Sequence, residues 1–190
     1  MIKPVDRIEL LRQINITGKI FVEVGVWKGD FSESILNMGP VKLILVDAWC
    51  SQQPDVYADL CNLNNTEYEK VYQSVATRFG DRPEVQIIRD WSAAAAFQMA
   101  DNSIDFVYID ANHSEKACTA DIESWYRVVK PGGWLLGHDY GYSRMRRVGV
   151  QAAVTKYLAN HGLILDALTQ ERRYPSWGFI KPTASPVPTV

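Results

Sequence analysis

Short runs of apolar residues in this chain end on an acid, a glycine or both, and between these runs apolar residues recur every three or four positions. The first pattern predicts β-strands and the second amphipathic helices. Strands are expected at 19–25, 41–47, 85–89, 104–110, 134–138, 163–168 and 177–181, and helices at 30–38, 66–79, 92–99, 114–129 and 149–160. Gly39-Pro40, Gly80, Lys130-Pro131-Gly132-Gly133 and Gly162 read as stops, because glycine permits the left-handed turn that ends a helix and proline cannot continue one. The run at 104–110 is apolar on both faces, as a central parallel strand should be.

Strands alternating with helices predict βαβ units. The expected fold is α/β: a doubly wound, Rossmann-like, seven-stranded sheet, mostly parallel with an antiparallel last strand and helices on both faces. Residues 1–181 read as one domain. Two segments break the rhythm. The polar, aromatic stretch 48–65 is too long for a βα loop, where about 2–6 residues are usual, and reads as a lid or substrate wall. The proline-rich end, 182–190, reads as a flexible tail.

Composition narrows the function classes. The 190 residues are 47% hydrophobic and 22% charged, enough for a core without disulfide or metal staples. The formal net charge is −2 and there is no basic block, so nucleic acid is not an expected partner. The densest basic cluster, Arg144, Arg146 and Arg147, reads as a solvated loop. Cys50, Cys61 and Cys118 follow no zinc or redox spacing, which suits a reducing compartment. No apolar run approaches the ~20 residues that span a bilayer, so a cytoplasmic protein without a membrane partner is expected. Six tryptophans and nine tyrosines favour a homodimer, since these residues are enriched at interfaces.

The chemistry sits at the strand ends, where an open parallel sheet binds its ligands. After the first strand comes Glu23-Val24-Gly25-Val26-Trp27-Lys28-Gly29. Gly25 permits a sharp turn, Gly29 permits close approach of a ligand or helix, and Glu23 puts a carboxylate beside them. Asp47 closes the second strand, roughly 20 residues further on, where an acid accepts bonds from a ribose diol. Asp90-Trp91-Ser92 after the third strand offers a carboxylate to a base's amino group and an aromatic to its face; capping and core packing are the plainer roles. Asp110 and His113 follow the fourth strand, and His138 and Asp139 the fifth. Two carboxylates and two imidazoles on one rim suit a divalent metal or a general base working near neutral pH. His161, at a helix end, reads as structural.

Taken together, the stretch 21–30, Leu45-Val46-Asp47, 105–114, 121–126 and 130–139 resembles class I S-adenosylmethionine-dependent methyltransferases. It is most similar to the small "methyltransferase domain 24" branch, with its macrolide-sugar and natural-product O-methyltransferases. The resemblance spans roughly 19–181. It implies that Glu23, Gly25 and Gly29 line the methionine moiety of S-adenosylmethionine, that Asp47 holds the ribose, and that Asp90 and Trp91 flank adenine; Ser92 beside them is counted with the cofactor-binding residues. It implies that Asp110 sits beside the sulfonium and that Asp110 and Asp139 hold Mg²⁺ or another divalent metal where one is used; the imidazole of His138 next to them completes the expected metal set Asp110, His138 and Asp139. The chain departs from the pattern in carrying His138-Asp139 for a pair of acids, and Asn112 for a catalytic acid. Either His113 or His138 then serves as the base, or the metal is absent, or the acceptor needs little deprotonation.

The expected activity is O-methylation of a small hydroxylated acceptor, with His113, His138, Asp110 and Asp139 as the catalytic group and Trp49, Tyr57 and Tyr68 covering the acceptor. A nicotinamide-dependent oxidoreductase would share the sheet and Asp47, but the loop lacks the first glycine of Gly-x-Gly-x-x-Gly. A non-catalytic cofactor-binding subunit would have no need of four polar groups on one rim.

Overall fold

The computed structural model describes residues 1–53, 62–141 and 149–183. Tyr57, Cys61, most of the 48–65 excursion's middle, Arg144, Arg146, Arg147 and the end of the tail lie outside the described residues.

The elements follow in the order α1 (Arg7–Ile14), β1 (Ile20–Val24), α2 (Asp30–Leu36), β2 (Lys42–Asp47), α3 (Asn65–Phe79), β3 (Val85–Arg89), α4 (Ser92–Phe97), β4 (Ile104–Ile109), α5 (Glu115–Val128), β5 (Val129–Gly137), α6 (Val150–His161), β6 (Ala167–Leu168) and β7 (Trp177–Ile180). They build one seven-stranded sheet in the order β3-β2-β1-β4-β5-β7-β6. The first five strands run parallel, and β7 is antiparallel to both β5 and β6.

Strand alternation divides the apolar residues between two cores. Val22, Val24, Ile44, Val46, Val107, Ile109 and Leu135 face α4, α5 and α6, with Trp125 and Tyr157 filling that layer. Phe21, Leu43, Leu45, Phe106, Tyr108 and Leu136 face α1, α2 and α3. The sheet is thus covered on both sides, which is why its central strands carry no polar face.

Three features depart from the sequence reading. Helix α1 is additional: Asp6 caps it by accepting a bond from the Glu9 N–H at 2.8 Å, and Leu10 and Leu11 are fully buried. Strand β5 starts at Val129, so Lys130-Pro131-Gly132-Gly133 lies inside the strand as an irregular opening where the register with β4 shifts. The Lys130 ammonium holds this opening to Asp105 at 2.9 Å. In the predicted strand 163–168, only Ala167–Leu168 pairs; Leu163 and Leu165 are apolar because they pack on the core beneath the sheet edge.

Among the described residues, no helix is long and apolar enough to cross a membrane.

Candidate active site

The carboxyl ends of β1 and β4 lie side by side at the point where the chain's winding reverses, since β2 lies on one side of β1 and β4 on the other. Gly25 makes this junction tight. With φ of +91°, a Cβ there would stand 2.1 Å from the Asp110 carbonyl oxygen, so only glycine fits. Gly29 serves a different neighbour: a Cβ there would meet the Phe79 ring of α3 at 2.7 Å. The room it leaves belongs to helix packing, so its close approach is to α3.

Asp47 organises the loop from below. One carboxylate oxygen accepts from the backbone N–H of Val26 at 3.0 Å and of Trp27 at 2.9 Å, and the other from Trp49 N–H at 2.8 Å. These bonds hold Trp27 and Trp49 at φ of +50° and +39°, the left-handed region that bulky residues avoid. The Trp49 indole N–H donates to the Trp27 carbonyl at 2.9 Å, closing the network. Burial raises the Asp47 pKa, and the backbone donors, Trp49 first, oppose it.

Glu23 lies deeper, 1% exposed, and accepts a bond from the Ser32 hydroxyl at the start of α2. Burial pushes its pKa up to about 8 against the opposing pull of Ser32, with the charge of Asp110 adding to the rise. Near neutral pH it is therefore a buried carboxylic acid that ties β1 to α2.

After β3, Asp90 accepts from the Trp91 N–H at 2.7 Å and from Gln98 at 2.9 Å, while the Trp91 ring is 50% exposed on the rim. Ser92 points the other way. Its hydroxyl accepts from the Trp125 indole N–H at 2.9 Å and also bonds the buried Asp121, so its partners belong to the α4–α5 interface.

The four catalytic candidates come together. His113 Nε2 lies 3.0 Å from Asp139 Oδ2 and 3.4 Å from Asp110 Oδ1. His138 Nδ1 lies 3.5 Å from Asp139 Oδ2 and 3.8 Å from Asp110 Oδ2. Helix α5 places His113, directly before the Ser114 cap. The Trp177 indole N–H donates to the His138 carbonyl at 3.1 Å, so β7 fixes the end of β5. Asp139 itself has φ of +60°, a strained conformation often held where geometry matters for function. Burial works against the Asp139 carboxylate, but bonds from His113 and then His138 outweigh it and hold its pKa below the usual carboxylate range. Burial likewise opposes a charged His138, yet its bond to Asp139 and the charge of Asp110 raise its pKa overall.

Asp110, His113 and Asp139 each offer one ligand atom within 4.8 Å of the others, a set able to hold a metal ion. The cation set expected from sequence was Asp110, His138 and Asp139; in this tighter grouping His113 takes the place of His138, because α5 starts closer to both carboxylates. Trp49 and Tyr68, expected to cover an acceptor, are instead core residues at 1% and 6% exposure, since Asp47 folds Trp49 inward and α3 turns Tyr68 to the sheet. Arg7 was missed. Its Nη1 reaches Asp110 Oδ2 at 3.3 Å, and its guanidinium lies 4.1 Å over the Phe31 ring. The signal was present as Asp6 with Glu9 three residues on, then Leu10, Leu11 and Ile14 at helical spacing.

A family model described as "Methyltransferase domain", type 24, matches residues 22–140, which run from β1 to just past β5. The chain belongs to this methyltransferase-domain family. Among solved structures, this methyltransferase-domain protein is similar to an S-adenosylmethionine-dependent methyltransferase from Aquifex aeolicus (15% identity, covering 93% of this chain and 90% of that one, TM-score 0.64). It is similar to the N-methyltransferase NodS from Bradyrhizobium japonicum (13%, 93% and 94%, TM-score 0.63). It also resembles Aeropyrum pernix fibrillarin with natively bound S-adenosylmethionine (15%, 86% and 67%, TM-score 0.61). At these identities the likeness is one of fold. No curated protein matches the chain.

Proposed function

We propose that this methyltransferase-domain protein is an S-adenosylmethionine-dependent O-methyltransferase acting on a small hydroxylated acceptor. The observation that carries the reading is the convergence of Asp110, His113, His138 and Asp139 beside the Gly25 turn, at the crevice between β1 and β4.

The residues fit the cofactor. The Gly25 turn lets the backbone at the ends of β1 and β4 meet, which sets the Asp110 carboxylate beside the turn, and Trp91 presents an open ring at the end of β3. A carboxylate offers about four acceptor positions; backbone N–H groups of Val26, Trp27, Ala48 and Trp49 all bond Asp47, so its part toward a ribose is to shape the loop that would hold it. Glu23 acts indirectly, through Ser32 and the position of α2. When bound, S-adenosylmethionine supplies an electrophilic methyl group on a sulfonium.

The protein's own contribution is proton handling and orientation. His138 turns Nδ1 toward Asp139 and Asp110, which leaves Nε2 for the acceptor. This is the carboxylate–imidazole arrangement that fixes a base's tautomer. His138 Nε2 would take the proton of the acceptor hydroxyl as its oxygen is methylated, and the rim would hold that oxygen in line for the transfer. His113 lies between both carboxylates and keeps them in place.

A metal-assisted variant of this reading is favoured by one observation, the clustering of Asp110, His113 and Asp139. Two carboxylates and an imidazole suit Mn²⁺, Fe or Zn as well as Mg²⁺, and a bound cation would lower the proton cost at the acceptor hydroxyl.

The test is turnover against a panel of sugars and phenols with His138→Ala and His113→Ala, each with and without EDTA. His138→Ala should lose turnover by about 10²–10⁴-fold, the usual contribution of a general base, while its affinity for S-adenosylhomocysteine holds. Unchanged turnover in both variants would overturn the base assignment.

A further inference from the structure

Arg7 stands at the crevice without a part in the reaction described above. It is the first residue of α1, a helix pinned by the fully buried Leu10 and Leu11. Its guanidinium bridges the two walls of the crevice: the Phe31 ring at the start of α2 on one side, and the Asp110 carboxylate at the end of β4 on the other. The same group bonds the hydroxyl of Tyr108, whose oxygen is 2.8 Å from Ser176, so it is braced from below as well. Its side chain remains 31% exposed.

The surroundings are acidic. Asp110 acts on Arg7, and Asp139 lies one imidazole further along. A ligand bringing a carboxylate of its own to this crevice would face the charge of Asp110 and needs a cation beside it. The cofactor implied by the proposed function ends in an amino acid, with an ammonium and a carboxylate on one carbon. Asp110 suits the ammonium. A guanidinium has five N–H donors in a planar fork that matches a carboxylate, and those toward Asp110 and Tyr108 leave others to spare.

We propose that Arg7 is a cofactor-binding residue that receives the α-carboxylate of the amino-acid end of S-adenosylmethionine. This rests on the methyltransferase reading and adds to it a determinant supplied by the N-terminal helix. It also explains why a half-exposed arginine is braced on three sides: a partly exposed ion pair alone contributes little to stability.

The test is calorimetric titration of the full chain with three ligands: S-adenosylhomocysteine, its decarboxylated form, and 5′-methylthioadenosine, which lacks the whole amino-acid part. Arg7→Gln should weaken S-adenosylhomocysteine by about 10- to 100-fold, as for a lost charge-assisted bond, and leave the other two within about twofold. Arg7→Lys keeps the charge without the fork and should fall between wild type and Arg7→Gln for S-adenosylhomocysteine alone; it carries the test if Arg7→Gln does not fold. Equal weakening of all three ligands, or no weakening, would overturn the proposal and leave Arg7 as a brace. A wild-type chain that binds none of the three refutes the methyltransferase reading itself, and this inference with it.

Discussion

Glu23 shows how one residue's position in the sequence suggests one role and its surroundings another. Its place before a glycine turn suggests a carboxylate facing the ligand, whereas the folded chain buries it against Ser32. Its pKa, pushed up to about 8 from an ordinary 4.5, makes a linkage prediction. Between those values the folded chain holds a proton that the unfolded chain has released, so stability is full below about pH 4.5 and is lost as pH rises toward 8. Glu23→Gln removes that proton exchange. Urea unfolding from pH 5 to pH 8 should show wild type losing up to about 1.4 kcal/mol per pH unit more than the variant. Parallel pH profiles would mean that Glu23 is ionised in the folded chain. At the same scale, Asp110, His113, His138 and Asp139 were legible because each stands in the loop that follows a strand of clear apolar pattern. Ser92 was not: whether a hydroxyl after a strand faces the rim or a neighbouring helix depends on Trp125 and Asp121, which are distant in sequence.

At the scale of elements, strands are read well where burial on both faces makes the run mostly apolar, as in β1, β2 and β4. Reading fails where the same residues serve packing without pairing, as at Leu163 and Leu165, or pairing despite turn chemistry, as at Pro131-Gly132-Gly133 in β5. The turn after β1 is the element on which the crevice depends. Gly25→Ala asks for a left-handed alanine whose Cβ would overlap the Asp110 carbonyl, so β1 and β4 must separate at their ends. The expected result is a lower melting temperature together with loss of S-adenosylhomocysteine binding. Gly29→Ala presses on the Phe79 ring instead, and should lower the melting temperature while weakening binding much less. Equal effects of the two on binding would mean that the crevice is not at the β1–β4 junction.

For the whole molecule, the sheet order places every strand-end motif along one edge, and the strands carry them there from distant parts of the sequence. The doubly wound arrangement was legible because strands alternate with helices, whereas the strand order depends on pairings between strands distant in sequence. What alternation could not supply was α1, which precedes the first strand and closes one core while aiming Arg7 at the crevice. The two cores also explain why the rim can tolerate strained residues such as Trp27, Trp49 and Asp139: packing on both faces holds the strand ends that carry them.

The central claim is that this crevice takes S-adenosylmethionine, and calorimetric titration of the purified chain tests it most directly. S-adenosylhomocysteine is the ligand and NADH the control. The account predicts saturable one-to-one binding of S-adenosylhomocysteine and none of NADH. Binding of NADH alone would contradict it and point to hydride chemistry on the same sheet, and binding of neither would leave the rim without the cofactor that its geometry is proposed to serve.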